Sequence, residues 1–137
     1  MKIFSRSFLI LAIVIVLLAS IVLLIPKTTA SNGIITAEFS EKTVSSGETV
    51  YLTVTLKNNL GRDLEGVEIS ALPVDNSSLV VMNSEQFEDI IGMDEVREFK
   101  FPVTVKDDAR AGVYSIKINS NLEDFKEIRV PLKVVEK

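Results

Sequence analysis

The chain has 137 residues, 47% of them hydrophobic and 25% charged, and contains neither Cys nor His. That composition excludes a His general base, a Ser-His-Asp triad, a thiol nucleophile, disulfides and the usual zinc and copper sites. All 19 acidic residues lie after Ser31. Of the 15 basic ones, only Lys2, Arg6 and Lys27 precede it, so the remainder carries 12 basic against 19 acidic side chains, a net charge of −7. This sign is opposite to the basic footprint that nucleic acid or anionic headgroups require.

Residues 1–7 carry Lys2 and Arg6 and read as a cytoplasmic basic region. Phe8 to Ile25 (FLILAIVIVLLASIVLLI) follow as an uncharged run of about 18 residues, the length of a bilayer-spanning helix. A cleaved secretory signal has a shorter apolar region and a small-residue site after it. The length therefore predicts a signal-anchor in contact with the lipid bilayer, while cleavage after Ala30, behind Thr28 and Thr29, is the alternative. The positive charges before the run outweigh Lys27 behind it, which keeps the amino terminus in the cytoplasm and sends the rest of the chain outside. Residues 26–33 read as a linker and 34–137 as one extracytoplasmic domain, since about a hundred residues suffice for a single core.

Within that domain the apolar period is two. Ile35, Ala37 and Phe39 begin it. Val50, Leu52, Val54 and Leu56 face inward, while Thr53, Thr55 and Lys57 face outward. Val67, Ile69 and Ala71 repeat the pattern. Leu79 to Met82 and Phe87 to Ile91 are short apolar runs. Phe99, Phe101, Val103 and Val105 form the next alternation, then Tyr114, Ile116 and Ile118, and finally Ile128, Val130, Leu132 and Val134. Turn signals separate the runs: Ser45 to Glu48, Asn58 to Asp63, Pro73 to Ser78 and Asp107 to Gly112. About seven short strands at this spacing predict an all-β, immunoglobulin-like antiparallel sandwich behind one N-terminal transmembrane helix. Pro102 and Pro131 cannot donate to a ladder, so each is expected at an edge or a bulge.

Val44 to Ser70 (VSSGETVYLTVTLKNNLGRDLEGVEIS) resembles the opening of CARDB domains, where a Gly-Glu turn precedes an alternating strand, an Asn-x-Gly turn and a valine-rich strand. Phe99 to Ile118 is similar to the matching half of related archaeal surface-layer-associated domains, with the turn Ala109 to Tyr114 opening a strand. The resemblance implies an immunoglobulin-like fold on the outer face of an archaeal or bacterial cell, serving as a spacer or interaction module.

No catalytic site, cofactor site or metal site is expected. Ser-x-x-Lys is absent. The carboxylate pairs Glu88-Asp89, Asp94-Glu95, Asp107-Asp108 and Glu123-Asp124 place neighbours on opposite faces of a strand or in solvated turns. Asp107, Asp108 and the acids near Asp94 offer oxygen ligands but no calcium loop of recognised spacing. Met82 and Met93 are expected in the core. Asn76-Ser77-Ser78 is an N-x-S sequon, so Asn76 is a candidate glycosylation site. These features predict a non-enzymatic, single-pass membrane protein, with its domain contacting another membrane or envelope protein. The alternatives are a surface-layer or filament component and a calcium-dependent adhesion module.

Overall fold

A computed structural model describes residues 29–31, 33–75, 78–123 and 125–137, with side chains from residue 33 onward. The expected helix at Phe8 to Ile25 lies outside the described residues. Among those that are described, no helix is long and apolar enough to cross a membrane.

The two-residue alternation becomes ten strands: β1 (Thr29–Ser31), β2 (Ile35–Phe39), β3 (Thr43–Ser45), β4 (Thr49–Lys57), β5 (Leu64–Pro73), β6 (Leu79–Val81), β7 (Glu85–Ile91), β8 (Val96–Val105), β9 (Gly112–Ser120) and β10 (Ile128–Val135). They form two five-stranded sheets, ordered β1-β2-β4-β8-β6 and β3-β10-β9-β5-β7. The sequence reading of about seven strands is thus corrected upward. β1 and β3 have only three residues each, too few to show an alternation. β1 also takes up part of the range 26–33 read as linker, pairing antiparallel with β2 from Thr29 opposite Glu38 to Ser31 opposite Thr36.

The inward register is the one the alternation predicts. Leu52, Val54, Phe101, Val103, Ile116 and Val130 are all fully buried between the sheets. Two long stretches change sheet partway along. β2 ends in the first sheet and β3 begins in the second, while β6 pairs with β8 and its continuation β7 pairs with β5. Asn83, with φ of 51°, sits at the second crossing. These changes of sheet lace the sandwich together on both sides.

Both prolines sit where a short neighbour stops. β6 pairs only with Val103–Val105, and β3 only with Lys133–Val135. Pro102 and Pro131 therefore lie on strands interior by order but locally without a strand on that side, and no ladder donor is lost. At the turn into β9 the Tyr114 hydroxyl donates to the Arg110 carbonyl oxygen at 2.7 Å. This is the tyrosine-corner arrangement of immunoglobulin-like sandwiches.

Two apolar residues depart from expectation, and a third large one is also exposed. Met82 and Met93, expected in the core, are 61% and 54% exposed, and Phe87 is 61% exposed on an edge strand. Met82 follows the last residue of β6 and has the outward parity of Val80, and Met93 stands in the β7–β8 turn beyond the reach of the inter-sheet space.

Candidate functional site

The register of the first sheet places an apolar row on its outer face. Tyr51 of β4 lies opposite Pro102 of β8, and Met82 N donates to the Pro102 carbonyl oxygen at 3.0 Å. Tyr51, Pro102 and Met82 thus run across the sheet in one line. Beside them Thr49 and Thr104 join hydroxyls at 2.8 Å, and Val80 stands opposite Thr104. Tyr51 is 52% exposed and Val80 43%. The backbone under the row is held by ladder bonds and by a proline of fixed φ, so the apolar groups are presented rigidly. Exposed apolar side chains clustered on rigid elements are the usual substrate of protein contacts.

The polar end of the sandwich is built around Asn58, the one buried polar side chain among the described residues. Its Nδ2 donates to the carbonyl oxygens of Arg62, Ile91 and Gly92 at 2.7, 3.0 and 3.0 Å, and its Oδ1 accepts from Leu60 N at 3.3 Å. The backbone of Asn58 also bonds to Asp94 and Glu95. One side chain therefore locks the β4–β5 loop to the β7–β8 turn, and on these loops Leu60 and Met93 point to solvent.

Beside this end lies an open cleft of about 420 Å³, lined by Arg62, Asp63, Leu64, Glu65, Asn121, Leu122 and Glu123. Its amide is already engaged. Asn121 donates to the Gly66 carbonyl oxygen at 2.7 Å and accepts from Glu68 N at 2.9 Å, continuing the β5 ladder where β9 has ended. Gly66 adopts φ of 60°, which shifts the inward alternation from Leu64 to Val67.

The carboxylates considered as ligands stay apart. Asp63 Oδ1 accepts from Met93 N at 2.9 Å, and Glu95 Oε2 accepts from Gly92 N at 2.8 Å while pairing with Arg97 at 3.1 Å. Asp94, Asp107 and Asp108 are exposed. Among the described residues no three acidic side chains come together as a metal site would need. Asn76, Ser77 and Asp124 lie outside the described residues, so the sequon is not placed.

The alternation that turns Val50 and Leu52 inward also turns Tyr51 outward, but nothing in the sequence marks its partners. Met82 is apolar and is expected inward, but it shares the outward parity of Val80, two residues before it, which the short run Leu79 to Met82 does not reveal. Nothing in the sequence marks Asn58 as buried, apart from its place just after a long inward alternation.

No family model matches the chain, and no curated protein matches it. Solved structures do. A crystal structure of a CARDB domain from Pyrococcus furiosus, in complex with di-metal ions, aligns with a TM-score of 0.55 at 14% identity, covering 78% of this chain and 100% of that one. The fold is CARDB-like. The solution structure of the same CARDB domain aligns at 0.49 with 15% identity, covering 74% of this chain and 94% of that one. A Caenorhabditis elegans protein of the MSP family aligns at 0.48 with 11% identity, covering 77% and 100%. The identity to the CARDB crystal structure is low, so what is shared is the course of the backbone. The row at Tyr51 and the lock at Asn58 are described for this CARDB-like sandwich alone.

Proposed function

We propose that the chain is a single-pass membrane protein, amino terminus in the cytoplasm, whose CARDB-like domain stands outside and acts as an interaction or accessory subunit of a membrane or cell-envelope complex. The observation that carries this reading is the rigid apolar row Tyr51–Pro102–Met82 with Val80 beside it, on a sandwich whose carboxylates are dispersed. The apolar run Phe8 to Ile25 supplies the anchor. The reading is non-enzymatic, and its support is a sequence without a His general base or a Cys nucleophile.

Crosslinking and co-purification from native membranes test the reading. One defined envelope protein should be recovered, and Tyr51→Glu with Met82→Glu should abolish recovery while the domain still folds. Recovery unaffected by that double variant would remove the outer face from the argument. Recovery with the surface array instead would favour a structural component. Peptides spanning Lys27 should appear in mass spectra of the membrane-extracted protein, whereas a mature amino terminus at Ser31 would remove the anchor.

A second reading is a metal-dependent adhesion module, favoured by the di-metal ions of the Pyrococcus furiosus domain. The dispersal of acids among the described residues speaks against it.

A further inference from the structure

The place of β1 in the fold limits how the domain can stand on a membrane. The inference rests on the anchor reading above. Thr29 pairs with Glu38, and Glu38 in turn pairs with Thr53, so the chain enters the sandwich halfway up the first sheet, at its lateral edge. Followed backward from Thr29, the chain runs toward the end of the sandwich where β4 begins and β8 finishes. From the level of Thr53 to that of Thr49 is four residues, about 13 Å. From Thr29 back to Ile25, the last residue of the apolar run, the chain reaches at most about 14 Å. Three intervening residues, even fully extended, could span no more than about that distance. That limit would leave no slack for the headgroup layer, which is roughly 5–7 Å thick.

We infer that the sandwich has no free tether. The end formed by Ser40–Lys42, Ser46–Glu48 and Lys106–Ala111 is held at lipid headgroup level, and the Gly92–Glu95 turn points away. That turn is the far corner in both directions. It lies at the opposite end of the strands, next to Val96 paired with Lys57, and on β8, three strands across the sheet from β1. Those three spacings add about 14 Å laterally. The membrane-facing end carries Lys42, Lys106, Arg110 and Lys137 against Glu41, Glu48, Asp75, Asp107, Asp108 and Glu136, all exposed. Its charges are mixed, so chain connectivity and not attraction to anionic lipid sets the orientation. The surface left open to a partner is the far corner, where Asn58 locks Leu60 and Met93 in place, together with the sheet faces.

The absence of native cysteine allows single-site labelling of the full-length chain. Lys42→Cys and Met93→Cys, each carrying an environment-sensitive fluorophore, are reconstituted in phosphatidylcholine vesicles containing a headgroup-attached quencher. Quenching should be several-fold stronger at position 42 than at 93 and should be unchanged by high salt. A flexible Gly/Ser insert of about twelve residues before Thr29 should erase the difference. Equal quenching at the two sites without the insert, or a difference that survives it, would overturn the inference. Failure of the chain to float with the vesicles would overturn the anchor reading itself, and with it this one.

Discussion

Asn58, just past the end of β4 in one sheet, donates from Nδ2 to the carbonyl oxygen of Ile91, at the end of β7 in the other, across 3.0 Å of buried space. The same nitrogen also serves two loop carbonyls, so a single amide replaces the ladder bonds that neither sheet can supply where the loops cross. A buried polar group of this kind is worth most when fully satisfied, and here no buried side-chain polar atom lacks a partner among the described residues.

Replacing Asn58 with Ala leaves three carbonyls without their donor. The expected loss is about 2–4 kcal/mol, larger than for a typical surface substitution. Asn58→Asp should cost more, because a carboxylate would face carbonyl oxygens. Urea denaturation of the two variants against the parent checks the order, and an Asp variant as stable as the parent would refute it.

Phe101→Ala should cost on the order of 3–5 kcal/mol, and Thr53→Ala well under about 1 kcal/mol. Phe101 is fully buried, whereas Thr53 stands on the outer face opposite Lys100. Chemical denaturation of both variants measures the contrast. Similar losses at the two sites would mean that the strand is shifted by one residue.

These core positions were legible in the sequence because period-two alternation is long in β4, β8, β9 and β10. The Asn-x-Gly and Gly-Glu turns announced their own places as well. What was not legible came from strands too short to alternate. β3 reads as polar loop, yet pairs parallel with β10, and β1 reads as linker, yet completes the first sheet. Met82 and Met93 misled because residue type signals burial only where another element covers the position. The lock at Asn58 depends on contacts more than thirty residues apart in the chain, which local pattern cannot carry.

Gly47→Ala should be damaging for two separable reasons. Gly47 has φ of 80°, and an added Cβ would lie 2.5 Å from Asp107 Oδ1. A loss of about 1–3 kcal/mol is expected. The double variant Gly47→Ala, Asp107→Ala should recover the steric part and leave the backbone part. Gly61, with φ of 71° but open space around it, should show only the backbone part when changed to Ala. Thermal melts of the four proteins, parent included, test the partition. Equal losses at Gly47 and Gly61 would show that Asp107 moves freely aside.

A fragment comprising residues 29–137 should melt higher than one comprising 34–137, because only the longer one closes the first sheet with β1. Identical melting temperatures would mean that β1 adds nothing to the isolated domain. Both fragments should give superimposable melts in excess chelator and in added calcium, given the dispersed acids among the described residues. A calcium-dependent rise of several degrees would move the protein toward the adhesion reading.

The parallel pairing of Thr43–Ser45 with Lys133–Val135 joins stretches some ninety residues apart. The second sheet therefore cannot close until β10 has been made. Loop-closure entropy must be overcome before that contact is rewarded, which slows folding. If the chain is threaded across a membrane as it is synthesised, its earlier strands must wait on the far side with open edges. The late arrival of β10 sets the moment at which the domain becomes native, and shortening the chain by even its last few ordered residues should leave an aggregation-prone intermediate rather than a slightly weaker sandwich.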